Sequence, residues 1–407
     1  MGDFLKQSAT AKSTYAAAFN QEEGDIVQFA VSRMKGRRKN QEDAYVIETE
    51  LRAYDVIQNV SHEVLPGHAL FAVFDGHGTS FASNYASMNF VSTFCKQQCF
   101  LEYSQKCLID QQRPSNARKQ KGKSDSQKKH HSSMNNEVFA KDDTGELRLL
   151  LEDAIKTTMI ELDANMLEEM TNRKNHRENK SNTASCENDE LYDEFDSGTT
   201  AIVLLLTPHY IVCANLGDCR AILQRGDEGS TLALSNDHKP YNELEEIRIR
   251  NAGGVVLSGN IEGRLGVSRG LGDFAFKHTP SVICAADIHN VKTKNIDAYI
   301  QPENQMVTAV PEITVLTREA THDKFLVIAC DGIWDVVSNE KCAEMVSTIF
   351  NEGEQSVALA CEEVLDQCYA KGSLDNMTAI LVKCGSQEIG IGGGVMKRRK
   401  QRRYKGR

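Results

Sequence analysis

Apolar runs in this chain keep ending on carboxylates. Phe71-Ala72-Val73-Phe74 reads as a buried strand and stops on Asp75-Gly76-His77-Gly78. The run "FLVIAC" stops on Asp331, with Asp335 shortly after it. Asp218 follows "IVCANLG", Glu42 and Asp43 open "AYVIET", and Asp375 precedes Asn376 and "MTAILVK". Taken singly, each acid is a turn, and Thr79 or Ser80 would cap a helix starting there. Taken together they raise a charge problem. Burying an unpaired carboxylate costs on the order of several kcal/mol, so acids gathered at strand ends call for a shared counter-charge. A pair of hard divalent cations, which prefer oxygen ligands, is the simplest one. Gly76 and Gly332, each just after an acid, would let the backbone approach an ion or substrate, and Gly76 could offer its own carbonyl. Separate turns and N-caps remain the other reading of the same pattern.

Strands are expected at 26–33, 43–48, 69–74, 199–206, 210–215, 220–224, 325–330 and 377–383, and helices at 80–96, 241–252, 339–350 and 355–370. Successive strands without helices between them argue against a parallel Rossmann sheet and favour antiparallel sheets covered by helices. Polar stretches at 111–137 and 171–197 read as mobile insertions, and 287–306 as a surface excursion. Between the first two, Leu151, Ile155, Met159, Leu162 and Met166 mark a long amphipathic helix.

The formal charge is −10, but the last eleven residues, "KRRKQRRYKGR", hold eight Lys or Arg. The remainder carries 39 basic against 57 acidic residues, which excludes general nucleic-acid binding and suits divalent cations. Twelve scattered cysteines form no CxxC pair and suit a reducing compartment. No apolar stretch is long enough to cross a membrane, and "MGDFLKQSAT" has no signal-peptide run. Lys6 stands where a myristoylation motif wants Ser or Thr.

The ordered blocks "RRKNQEDAYV", "FAVFDGHG", "SGTTAIV", "ANLGDCRAIL", "DHKPYNELEEIRIRNAGG", "GVSRGLGDF", "VPEI", "FLVIACDGIWDVVSNEK" and "DNMTAILV" resemble the metal-dependent protein phosphatases of the PPM (PP2C) type. The resemblance implies an α+β fold, a PP2C-like β-sandwich of two antiparallel sheets flanked by helices in αββα layers. It spans 24–385, with 1–23 as an N-terminal extension and 386–407 as a linker and basic tail. It also implies two Mg²⁺ or Mn²⁺ ions and a third, weaker site. Asp75 resembles the acid that bridges both metals, and Gly76 the residue whose carbonyl binds the second. Asp331 and Asp375 look like the remaining ligands of the first metal, and Glu42 and Asp43 those of the second. Asp218 and Asp335, with Asp331, match the third site. Arg38 matches the phosphate-binding arginine and His77 the general acid. Residues 237–254 would be the family's flap. Two departures are small: Gln41 precedes Glu42 where many members differ, and Thr79 replaces a Gly or small residue beside His77.

The implied activity is hydrolysis of phosphoserine and phosphothreonine on proteins by a metal-activated water, without a covalent phosphoenzyme, in a monomer. "CLIDQQR", Cys107 to Arg113, satisfies C-x5-R, yet lacks the preceding His and the glycines of a phosphate-cradling loop. The rival reading is a catalytically dead scaffold, which has no need to keep Asp75, Asp331 and Asp375 together with Arg38 and His77. The basic tail is expected to be mobile and to act as an address for an import receptor or an acidic partner, placing the protein in the cytoplasm with a nuclear fraction.

Overall fold

The strand that leads into Asp75, Ala69–Phe74, is buried at every residue. A strand covered on both faces belongs inside a layered structure. A computed structural model of the 407-residue chain describes residues 9–22, 25–112, 143–181, 197–226, 230–277 and 301–405. Along the chain come β1 (Lys12–Glu22), β2 (Asp25–Met34), β3 (Ala44–Glu48), β4 (Ala69–Phe74) and the short β5 (Gly76–His77). Helices α1 (Phe81–Cys95), α2 (Gln98–Gln112) and α3 (Asp143–Ser181) follow. Next are β6 (Gly198–Thr199), β7 (Ala201–Leu206), β8 (Tyr210–Leu216), β9 (Arg220–Arg225), β10 (Ser230–Ala233), α4 (Glu243–Asn251) and β11 (Leu271–Gly272). The chain closes with β12 (Glu312–Thr317), β13 (Asp323–Ala329), the single turn α5 (Asp331–Trp334), α6 (Asn339–Asn351), α7 (Val357–Ala370), β14 (Met377–Lys383) and α8 (Gly394–Lys405).

One sheet runs β1-β2-β14-β13-β9-β10 and the other β12-β8-β7-β4-β3. The pairings within both are antiparallel. Side-chain alternation builds the layers. Val27, Phe29 and Val31 of β2 meet Phe71 and Val73 of β4 between the sheets. Ala30 and Met34 turn outward to α6 and α7, while Leu70, Ala72 and Phe74 turn outward to α1 and α3. The αββα sandwich expected from the resemblance is therefore the observed architecture.

The margins differ from expectation. Residues 12–22 are an edge strand paired with β2, so the second half of the expected N-terminal extension, 1–23, belongs to the sheet. The expected insertion at 171–197 begins inside α3, which continues to Ser181, and 182–196 lie outside the described residues. α2 extends to Gln112, and 113–142 also lie outside. Of 287–306, residues 287–300 lie outside; Pro302–Asn304 form a 3-10 turn and Gln305 is buried. None of the described cysteines is disulfide-bonded.

The tail is the largest correction. "GSQEIGIGGG" is not a loose spacer: Gly390 and Gly392 lie so close to Asn351 and Glu352 that a Cβ would collide with their carbonyl groups. Val395 is 1% exposed and packs into the outer core with α6 and α7. Arg398 Nε donates to Glu352 Oε2 at 2.7 Å, and Arg399 Nη2 to Asp366 Oδ2 at 3.1 Å. Arg402 Nη2 donates to both oxygens of buried Glu363 at 2.6 Å. Opposite charges on one chain have met, and the helical spacing aims one basic face inward. The double substitution Arg399→Ala, Arg402→Ala is expected to lower stability by about 1–3 kcal/mol, because it strands Glu363 without a cation. Denaturant melts read it; an unchanged midpoint would mean that α8 adds nothing to the fold.

Candidate metal centre

Antiparallel register puts the acids at one edge of the sandwich. β3 and β4 pair Ala44 with Phe74, so Asp43 and Asp75, one residue beyond each, stand opposite one another. β13 and β14 pair Ala329 with Ala379, which sets Asp331 beside the residues that open β14. β14 and β2 pair Met377 with Met34, so the turn carrying Arg38 comes to Asp375. Asp218 follows Gly217, which holds a φ of +109° against Thr200. Gly76 abuts the Glu42 carbonyl and Ser83, and Gly332 abuts the Asn376 carbonyl; a Cβ at either would clash with backbone. The two glycines singled out in the sequence thus permit a close approach of chain to chain.

The acids repel one another. Burial raises Asp75 well above the ordinary carboxylate value, and the charges of Asp43, Asp331, Asp218 and Asp375 raise it further. Burial pushes Asp43 up to about 6, against hydrogen bonds from Thr378 and Cys330. Asp331 is pushed up to about 7 by burial, then by Asp218, Asp335 and Asp375. Asp335, at the rim, is raised by partial desolvation, lowered by Lys239 and raised again by Asp218 and Asp375. Hydrogen bonds do not satisfy the group. Oδ2 of Asp43 accepts from Thr378 Oγ1 at 2.6 Å, but Oδ1 of Asp43 and Oδ1 of Asp331 are buried with no hydrogen-bond partner among the described residues. Unpaired buried acceptors are costly. Oxygen donors of this kind fit a hard cation.

The remaining residues frame this centre. Arg38 is exposed and its Nη2 donates to Asp375 Oδ2. Glu42 is half-buried, its backbone N–H held by Asn376 Oδ1 at 2.8 Å. Asp218 is paired with Lys239, and Asp335 is exposed at the rim. His77 Nε2 lies 2.8 Å from Asp273 Oδ1. Burial opposes its protonation, but the Asp273 carboxylate, with Asp218 and Glu42 beyond, raises its pKa above that of an ordinary imidazole. Sequence reasoning missed three residues. Lys239 and Asp273 lay inside quoted blocks without a role. Cys330, the last residue of the run "FLVIAC", has its Sγ grouped with carboxylate oxygens of Asp43 and Asp75 within 4.8 Å of one another. Thr79, one residue before the N-cap Ser80 of α1, accepts from Phe81 N at 3.2 Å, while Ser80 makes no side-chain cap bond. Cys107 lies within α2, not on a phosphate-cradling loop.

A family model described as "Protein phosphatase 2C" matches residues 104–377. The chain belongs to the protein phosphatase 2C family. It is 31% identical over 389 residues to "Protein phosphatase 2C homolog 2" of Aspergillus flavus, covering 94% of this chain and 68% of that one. It is 29% identical to "Protein phosphatase ppm-1.A" of Caenorhabditis elegans, covering 94% of this chain and 63% of that one. The sandwich also matches the crystal structure of serine-threonine phosphatase 2C from Toxoplasma gondii, with a TM-score of 0.60 at 19% identity over 92% of this chain and 99% of that one. The family is one of metal-dependent phosphatases, and the chain spans about two thirds of the length of the two curated relatives named here. Among the described residues no helix is long and apolar enough to cross a membrane.

The raised carboxyls make a prediction about stability. The folded chain without metal holds more protons than the unfolded chain between about pH 4, the ordinary Asp value, and the values of about 6 and 7 at Asp43 and Asp331. Its stability therefore falls as pH rises through that window. In chelator, Tm should drop between pH 5 and pH 8. Added Mg²⁺ or Mn²⁺ should raise Tm more at pH 8 than at pH 5, since carboxylates must lose their protons to bind. Equal metal-induced shifts at both pH values would contradict the assignment.

Proposed function

We propose that this edge holds two Mg²⁺ or Mn²⁺ ions, with a third, weaker site, and that it hydrolyses phosphoserine and phosphothreonine in one displacement. The observation that carries the reading is the set of buried, mutually repelling carboxyls of Asp43, Asp75 and Asp331 with oxygens left unbonded. Asp75 would bridge the pair. Asp331 and Asp375 would complete the first ion, and Glu42, Asp43 and the Gly76 carbonyl the second. Asp218 and Asp335, with Asp331, would form the third site. When bound, such a pair supplies a water acidic enough to act as hydroxide near neutral pH.

The chain's own residues do the rest. Arg38 stands over the edge on Asp375 and can turn its planar fork to two phosphate oxygens. His77 gives a proton to the departing Ser or Thr oxygen, a contribution of about 10²–10⁴-fold. None of these residues would act as a nucleophile, so the reading calls for no phosphoenzyme. A dead scaffold is disfavoured because Asp75, Asp331, Asp375, Arg38 and His77 would all be kept without use. We place the protein as a monomer in the cytoplasm with a nuclear fraction. The exposed Lys397 and Lys400 of α8, not its paired arginines, are what an import receptor or acidic partner would meet.

Purified protein should release phosphate from a phosphothreonine peptide with Mn²⁺ and stop in chelator. Metal-independent turnover, or none at any metal concentration, would sink the assignment. Asp75→Asn should remove nearly all turnover while the circular dichroism spectrum is kept. Arg38→Ala should act mainly on KM, raising it by about tenfold, or ~1.4 kcal/mol of phosphate binding; an unchanged KM would mean that Arg38 serves only Asp375.

A further inference from the structure

Asp273 belongs to none of the roles above, yet its placement is unusual. It is 2% exposed and its backbone is left-handed, with φ of +53°. That region is uncommon for a side-chain-bearing residue, although Asp and Asn tolerate it best. The neighbouring Gly272 has φ of +78°, and a Cβ on Gly198 would run into the Asp273 carboxylate. Two glycines and a left-handed aspartate therefore make room for one carboxylate beneath His77.

A second, independent arrangement holds that turn. Asp163, on α3, accepts from Gly272 N at 2.8 Å and from Lys277 Nζ at 2.8 and 2.9 Å. Lys277 is fully buried and also donates to the Gly270 carbonyl at 2.9 Å. An ion pair this deep is costly to desolvate unless its remaining hydrogen bonds are made, and here they are made to the turn that carries Asp273. From the other side, Asp273 N donates to the Ser197 carbonyl at 3.1 Å, and Thr79 Oγ1 bonds Ser197 Oγ at 3.0 Å. Thr79, a departure from the usual small residue, thus helps hold the wall beside His77.

We propose that Asp273 is the positioning residue for His77, and that the buried Asp163–Lys277 pair fixes the turn from which it acts. A carboxylate only accepts, so Nε2 of His77 donates to it. That fixes the ring's orientation and its neutral tautomer, and leaves Nδ1 as the nitrogen that carries the transferable proton. As the bond from phosphorus to the departing oxygen breaks, the Nδ1 proton passes to that oxygen and neutral imidazole remains with Nε2–H still on Asp273. The inference rests on the reading of His77 as the acid.

The test compares two leaving groups. A phosphothreonine peptide departs as a poor alkoxide and needs the acid; 4-nitrophenyl phosphate departs readily and hardly does. Asp273→Asn keeps a residue that tolerates φ of +53°, and Asp273→Gly removes the side chain without backbone strain; circular dichroism establishes that each is folded. Peptide kcat should fall by about 10–10²-fold, within the range of acid catalysis, with KM unchanged and 4-nitrophenyl kcat within about threefold. In a His77→Ala background the same substitutions should add less than about twofold, because they act through the missing ring. Equal losses on both substrates, or an undiminished loss in the His77→Ala background, overturns the proposal. If His77→Ala itself fails to separate the two substrates, the acid assignment falls and takes the proposal with it. Nitrogen-15 spectra of the His77 ring in metal-free protein, taken at a pH where the ring is neutral, give a readout apart from activity: one Nε2–H tautomer in the wild type and a mixture in Asp273→Gly. Identical spectra overturn the proposal.

Discussion

The repulsion among Asp43, Asp75, Asp331, Asp218 and Asp375 is the interaction around which this structure is arranged. Charges gathered in a poorly solvated place oppose one another strongly. The fold gathers them because the strands that deliver them are locked by other forces. β4 and β7 are buried at every position, and β14 at every position before Lys383. A one-residue slip of β3 against β4 would turn Ala44 and Phe74 to the wrong faces and separate Asp43 from Asp75. Apolar packing on both sides of the sandwich thus fixes the register, and the register sets the carboxylates at one edge. A counter-charge from outside the chain relieves what the packing has imposed.

Elsewhere the chain neutralises buried acids with its own cations. On α4, burial opposes the charge of Glu245, but a hydrogen bond from Arg269, Arg248 and a hydrogen bond from Ser268 hold it down at about 2. Asp163 has Lys277, and Glu363 has Arg402. These pairs are structural: each ties two distant segments together. At the sandwich edge Asp43 and Asp75 have no such partner among the described residues' ion pairs, and Arg38 reaches only Asp375. The contrast distinguishes the metal centre from an ordinary acidic surface more sharply than the number of acids does.

Much of the centre was legible in the sequence because it is written in local pattern. A strand reads as an apolar run, the acid stands at its end, and a glycine follows where the backbone is crowded; Asp75-Gly76 and Asp331-Gly332 show all three. Helices expected at 80–96, 339–350 and 355–370 are found at Phe81–Cys95, Asn339–Asn351 and Val357–Ala370, and Ser338 and Ser356 cap the last two. What was missed depends on pairing across long separations. The Lys12–Glu22 strand has little of the expected apolar alternation, and its place comes from β2 and from Lys12 meeting Asp366. The basic tail looked like an exposed address because its acidic partners on α6 and α7 are scattered through a sequence that is acidic throughout. Asp273 carried no signal of its own, since a left-handed φ is not visible in a residue letter, though the glycine before it was a hint.

The central claim is that the edge is built for a pair of cations sharing Asp75. Electron paramagnetic resonance of Mn²⁺ titrated into chelator-treated protein tests it most directly. The account predicts a spin-coupled Mn²⁺ pair in the wild type and its loss in Asp75→Asn, with the same protein still folded. A single uncoupled Mn²⁺ signal in the wild type at saturation, or a coupled pair that survives Asp75→Asn, would contradict it.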